Sequence, residues 1–130
     1  MPVNAVSKIA TAVACVAILI VGTGTAASAA SRHVTRGTCS VELNNGYSNV
    51  GFGSPQGPWA ETSKSSGTCG SMSVYVKCNM YGSLFNTPKR YGTKYILVQV
   101  GDTDASLAGS SHLVRSSNAG DAGATYALGK

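Results

Sequence analysis

The chain has 130 residues, which is enough for one small domain but not for two. Charged residues make up only 12 % and hydrophobic residues 43 %, so a coiled coil, a collagen-like chain and a highly charged disordered chain are excluded. The formal net charge of +5 at pH 7 favours anionic surfaces, but a charge of this size also serves ordinary solubility.

Residues 1–29 have the pattern of a secretory signal peptide. Lys8 gives a positively charged start, and an uncharged apolar run follows over residues 9–21. This run is about thirteen residues long, whereas a membrane-spanning helix needs about twenty, which disfavours the alternative of a membrane anchor. Ala27-Ser28-Ala29 is a cleavage site of the A-x-A type. The sequence therefore predicts cleavage after Ala29, a secreted single domain over residues 30–130 and no stable membrane insertion.

Removal of residues 1–29 leaves three cysteines, Cys39, Cys69 and Cys78, in an oxidising compartment where thiols pair. Three is an odd number, so one thiol stays free or forms a thiol-linked dimer with another chain. If residues 69–78 are one strand, its ends lie about 30 Å apart, which excludes a bridge between Cys69 and Cys78. We expect Cys39 to pair with Cys78 between two sheets, with Cys69 as the alternative partner of Cys39.

The first predicted element of the secreted domain is a β-hairpin. Apolar and polar residues alternate over residues 38–43 and again over residues 47–52, and Asn45-Gly46 between them is the sequence typical of a type I′ turn. A two-residue turn fixes the register, so that Val41 opposes Val50. The apolar side chains of both strands then lie on one side of the hairpin.

The rest of the chain also indicates strands and turns. Residues 53–67 are predicted to be a loop because they contain two prolines and three glycines. Residues 72–80 alternate as a half-buried strand, and residues 94–100 form a nearly continuous apolar strand. A shorter strand over residues 110–115 and a tail that is either an edge strand or mobile complete the chain. These short strands predict an all-β fold, a small β-sandwich or barrel of antiparallel strands.

Catalytic and metal-binding residue types are present without a recognisable arrangement. A hydrolase would need Ser, His and an acid together, but no G-x-S-x-G motif occurs. The candidates for that chemistry are His33, His112, Asp102 and Asp104. Glu42 and Glu61 are a possible glycosidase pair, but Glu42 faces solvent in the predicted hairpin. Residues 102–113 lack the Gly and the closing Glu of a calcium loop, and no C-x-x-C pair occurs. We predict no catalytic residue, no metal and no cofactor.

Residues 81–95 combine aromatic and basic side chains between two predicted strands. Aromatic rings beside cations suit stacking on sugars or anchoring on a protein partner, and Pro88 stiffens the connection. The predicted binding residues are Tyr81, Phe85, Lys89, Arg90, Tyr91 and Lys94, with Trp59 in the other long loop as a further contact. The alternative is that the rings cap the core and the cations are merely solvated.

These features together predict a secreted, non-enzymatic protein that binds an extracellular protein or a cell-envelope glycan. One alternative is a cationic antimicrobial or toxin-like protein, and a second is a small secreted hydrolase. A binding protein shows an exposed aromatic and basic patch, whereas a hydrolase shows convergent titratable groups in a pocket. A membrane-active protein presents charge and apolar surface together. Nucleic acid is a poor partner for an exported chain.

Overall fold

A computed structural model describes residues 17–18, 27–48, 57–102 and 104–129. All regular secondary structure within these ranges is β-strand. None of the described residues forms a helix that could span a membrane. The strands are β1 (Ala17–Ile18), β2 (Ala27–Arg36), β3 (Cys39–Ser48), β4 (Gly57–Ser66), β5 (Met72–Met80), β6 (Ser83–Asn86), β7 (Arg90–Gly92), β8 (Tyr95–Val100), β9 (Ser106–Val114) and β10 (Ala124–Leu128).

The strands form two antiparallel sheets, which confirms the predicted all-β sandwich. The first sheet has the order β1-β8-β4-β3-β2. The second has the order β10-β9-β5-β6, and β7 also pairs with β5. The alternation predicted for residues 72–80 is present, because every second residue of β5 from Met72 to Met80 is buried in the core. β10 makes the tail an edge strand, one of the two predicted forms.

The predicted hairpin around Asn45-Gly46 is wrong. β3 runs straight through both residues and pairs with β2 on one side and with β4 on the other. The Asn45 side chain is buried and donates hydrogen bonds to Ser110 Oγ at 3.0 Å and to the Gly129 carbonyl at 2.8 Å. Pairing along both edges therefore outweighs the local turn preference. Residues 49–52 of the predicted hairpin lie outside the described residues.

The predicted loop over residues 53–67 is also wrong over the part that the structure describes. β4 occupies residues 57–66 and is the central strand of the first sheet, between β3 and β8. Gly57 and Pro58 stand at the beginning of this strand, and Gly67 follows its end with a φ of 77°. Gly and Pro occur at the ends of strands as well as in loops. The composition of residues 53–67 therefore suggests one long loop, although its Gly and Pro residues lie at the two ends of a strand.

One disulfide joins Cys39 to Cys69, with 4.7 Å between their Cα atoms. The preferred pairing of Cys39 with Cys78 is therefore wrong, and the alternative is confirmed. Ser40 pairs with Ser66, which brings the chain before β5 to the start of β3, whereas Cys78 lies near the far end of β5. No described cysteine is a free thiol in this full chain, since Cys78 is also disulfide-bonded. An odd thiol in a chain without residues 1–29 stays a prediction.

Candidate binding surface

Residues 81–95 form an ordered edge of the second sheet instead of one loop. Tyr81 and Gly82 make a tight turn with φ angles of 52° and 81°, which returns the chain into β6 alongside β5. After β6, Thr87 keeps the chain on β5: its N–H donates to the Val76 carbonyl and its Oγ1 accepts from the Val76 N–H, both at 2.9 Å. The chain then pairs with β5 again as β7. The aromatic and basic residues are thus held by backbone pairing.

Three of the predicted binding residues lie together on this edge. Tyr91 is 67 % exposed and stands opposite Ser73, on the face of the second sheet that points away from the core. Lys89, Arg90 and Tyr91 line a shallow cavity of about 430 Å³ together with Pro88. Lys89 also borders a second cavity of about 220 Å³. The arrangement offers an open aromatic ring and two cations that line one cavity, with Arg90 half-buried and opposite the core residue Val74.

Sequence reasoning missed two residues of this surface. Tyr75 and Asn86 line the second cavity together with Thr87 and Lys89. The alternation along β5 could have placed Tyr75 on the outer face, but Asn86 reaches it only through the pairing of β6 with β5. We call the five residues Tyr75, Asn86, Lys89, Arg90 and Tyr91 the edge surface.

The other predicted binding residues lie elsewhere. Tyr81 is exposed at the turn before β6, where its hydroxyl donates to Asp104 Oδ2 at 3.1 Å. Phe85 is partly buried against the core. Lys94 is exposed in the turn before β8. Trp59 is on β4 in the first sheet and only 7 % exposed, and its buried indole N–H has no hydrogen-bond partner in the described part of the chain.

The cations of the edge surface have no carboxylate neighbour. Within the described residues, the ion pairs are His33 with Glu42 and Arg36 with Asp121. All five Asp and Glu residues of the chain belong to the described ranges, and none of their carboxylates lies within 4 Å of the charged nitrogens of Lys89 or Arg90. The positive charge of this edge is therefore not neutralised inside the protein.

A Ser–His pair lies in the core. Ser110 Oγ is 2.7 Å from His112 Nε2, and Thr62 Oγ1 is 2.9 Å from His112 Nδ1. Ser110 and His112 are both buried, and burial lowers the pKa of His112 to about 4. The distance suits a nucleophile and its base, but a substrate cannot reach either atom. The geometry fits a polar crosslink between the two sheets.

Glu42 and Glu61 both face away from the core on neighbouring strands of the first sheet. Glu42 contacts His33 across β2 and β3. Glu61 accepts hydrogen bonds from Asn44 Nδ2 at 3.1 Å and from the Tyr95 hydroxyl at 2.9 Å. Partial burial and the Glu61 carboxylate raise the pKa of Tyr95 to about 12. In the part of the chain that the structure describes, no three His, Cys, Asp or Glu residues are grouped as metal ligands.

Comparison with protein-family models, with curated proteins and with solved structures found no match for this chain. Function is therefore argued from the surface itself. The strongest feature is the edge surface, because it combines exposure, ordered backbone and cations that no Asp or Glu side chain pairs with.

Proposed function

We propose that this is a secreted, non-enzymatic protein that binds an extracellular protein or a cell-envelope glycan through the edge surface. The observation that carries the proposal is the exposed ring of Tyr91 beside Lys89 and Arg90 on a strand of the second sheet. Tyr and Arg are enriched among the residues that anchor binding interfaces. The signal-peptide pattern of residues 1–29 supports the export part of this proposal.

The backbone of the edge surface supports this function because it is ordered before any ligand arrives. β6 and β7 both pair with β5, and the two hydrogen bonds between Thr87 and Val76 hold the connection between them. A surface built on strands keeps its geometry better than one built on a free loop. Less conformational entropy is then lost on binding.

The test compares Tyr91→Ala with Tyr95→Ala, a matched control that removes an exposed tyrosine from the outer face of the first sheet. Isolated cell envelope and concentrated culture fluid of the producing organism serve as targets, and binding is quantified with labelled protein. We expect Tyr91→Ala to weaken binding by about 1–3 kcal/mol. Thermal melting should show Tyr91→Ala within about 0.5 kcal/mol of the parent, as for ordinary surface substitutions. Tyr95→Ala also loses the hydrogen bond to Glu61, so its loss should reach about 1 kcal/mol.

Two outcomes contradict the proposal. Equal losses in Tyr91→Ala and Tyr95→Ala would mean that binding does not depend on the edge surface. If Tyr91→Ala instead unfolds the protein while its folded fraction binds normally, the ring of Tyr91 serves packing alone.

A further inference from the structure

We propose that the edge surface recognises an anionic envelope polymer, a sugar or polyol chain that carries phosphate or carboxylate groups. This inference rests on the proposed function and names the ligand class for the same surface. It is carried by the separation of positive and negative charge along the chain and by the lack of an Asp or Glu partner for Lys89 and Arg90.

Charge is strongly segregated in the sequence. Residues 62–101 contain five Lys and Arg residues and no Asp or Glu. This stretch supplies the second half of β4 and all of β5, β6, β7 and β8. Its cations are Lys64, Lys77, Lys89, Arg90 and Lys94. Half of the Lys and Arg residues of the chain therefore belong to one acid-free stretch that includes the edge surface.

The five Asp and Glu residues lie outside this stretch, and each of them has a hydrogen-bond partner. Glu42 and Glu61 hydrogen-bond to neighbours on the outer face of the first sheet. Asp121 binds Arg36, and Asp104 accepts a hydrogen bond from Tyr81. Asp102 accepts one from the backbone N–H of residue 104. An anion that approaches Lys89 or Arg90 therefore meets a cation that is not paired with an Asp or Glu side chain.

The edge surface arranges rings and cations along two neighbouring strands. On the outer face of β5, Tyr75 is followed two residues later by Lys77, which stands opposite Asn86. Beside them, Lys89 leads into Tyr91 on the sheet edge. Neighbouring strands are about 4.8 Å apart, and successive outward residues are about 7 Å apart along a strand. A linear polymer lying on this edge meets rings for its sugar faces and cations for its anionic groups.

The part of the outer face beside Tyr75 and Lys77 favours a hydrated polymer over a protein partner. The neighbouring positions on β9 are occupied by small residues, with Ser111 opposite Tyr75 and Gly109 opposite Lys77. Ala127 of β10 stands opposite Ser111. Protein interfaces take their stability from a core of large apolar and aromatic anchors, which the positions beside Tyr75 and Lys77 do not provide. The large apolar residues of this face lie to either side, with Leu84 on β6 opposite Asn79 and Leu113 on β9 opposite Ser73.

The experiment measures binding of the purified protein to poly(glycerol phosphate), to polygalacturonate and, as the neutral control, to dextran of similar length. We expect binding to at least one charged polymer and none to dextran. Affinity should fall by about tenfold or more between about 50 and 200 mM NaCl, because counterions are released from a linear polyanion. The polymer that binds identifies phosphate or carboxylate as the recognised group.

Charge variants assign the binding to this surface. Lys89→Gln and Arg90→Gln should each weaken polymer binding by about three- to tenfold. Arg32→Gln is the matched control, because it removes one cation from β2, where the guanidinium lies 4.9 Å from the centre of the Tyr126 ring. Equal losses in all three variants, or binding to neither charged polymer, would overturn the inference. Equal binding to phosphatidylglycerol vesicles would overturn it in favour of a membrane target.

The outcome separates this inference from the proposed function. If Tyr91→Ala abolishes binding to native envelope or culture fluid while Lys89→Gln binds normally, the edge surface is a binding site for a neutral ligand and only the ligand class is wrong. If Tyr91→Ala and Lys89→Gln both bind like the parent, the proposed function and the ligand class are wrong together.

Discussion

At the scale of single residues, the buried polar network around His112 links the two sheets. His112 on β9 bonds to Thr62 on β4, and Ser110 on β9 accepts from Asn45 on β3. Buried polar groups are tolerated when they are hydrogen-bonded, and such networks favour one alignment of the elements that they join. The network explains why Asn45 lies in a strand although its sequence context is typical of a turn.

Protonation of His112 should destabilise the fold. Burial lowers its pKa from 6.5 to about 4, so between these values the unfolded chain binds a proton that the folded chain does not. The free energy of unfolding should therefore fall by up to roughly 3 kcal/mol as the pH drops from about 7 to about 4. Urea unfolding at pH 7 and pH 4.5 measures this change.

Two variants assign this pH dependence. His112→Gln should flatten it, even if the variant is less stable overall, whereas His33→Gln on the exposed side of β2 should leave it in place. The Arg36 guanidinium holds the pKa of Asp121 well below its usual range. Asp121 therefore contributes stability that is lost only as the pH falls below about 4, outside this window. An unchanged pH dependence in His112→Gln would contradict the assignment to His112.

At the scale of elements, the sequence predicts strands correctly where residues alternate or form an unbroken apolar run, and it fails where turn residues dominate. Residues 72–80 and 94–100 were predicted as strands and correspond to β5 and β8. The sequence does not predict β2, because its residues are mostly small or polar, with Val34 alone fully in the core, and the strand forms through pairing with β3. Asn45-Gly46 leads to the wrong prediction of a hairpin, because a turn preference is local. The strand pairing that overrides this preference involves residues that are distant in sequence.

Two glycines with similar φ angles should respond very differently to substitution by alanine. Gly82 has a φ of 81° and no heavy atom within 4 Å of an added Cβ, so Gly82→Ala should cost about 1–2 kcal/mol from backbone strain alone. Gly67 has a φ of 77°, but an added Cβ would lie 1.4 Å from the Thr38 carbonyl oxygen. Gly67→Ala should therefore lower the free energy of unfolding by at least about 2 kcal/mol more than Gly82→Ala does, as measured by urea unfolding. Equal costs would show that this contact relaxes freely.

At the scale of the whole molecule, residues close in sequence were the predictable part of the candidate site. Lys89, Arg90 and Tyr91 are neighbours in the chain, so composition alone grouped them. Tyr75 joins them only because β7 and β6 both pair with β5, which cannot be read from local pattern. Trp59 was expected in a loop, but its strand lies in the middle of the first sheet, where the ring is buried.

The Cys39–Cys69 disulfide closes one end of the sandwich, where several connections meet. Cys69 forms a β-bridge with Ser116, and the Ser116 N–H donates to Asp121 Oδ2 at 2.8 Å. Asp121 in turn binds Arg36 at the end of β2. The disulfide thus fixes the start of β3 to the segment that leads into β5, and through Ser116 to the loop after β9.

Removal of this disulfide should lower stability without changing the fold. It closes a loop with a sequence separation of 30 residues, and constraining a loop of this length in the unfolded chain contributes roughly 2–4 kcal/mol. The double variant Cys39→Ser/Cys69→Ser avoids an unpaired thiol that could exchange with Cys78. Guanidinium unfolding of the parent and the variant measures the loss, with circular dichroism to verify that the sheets remain. A loss below about 0.5 kcal/mol would mean that the apolar core and the Arg36–Asp121 pair hold this end closed without the covalent link.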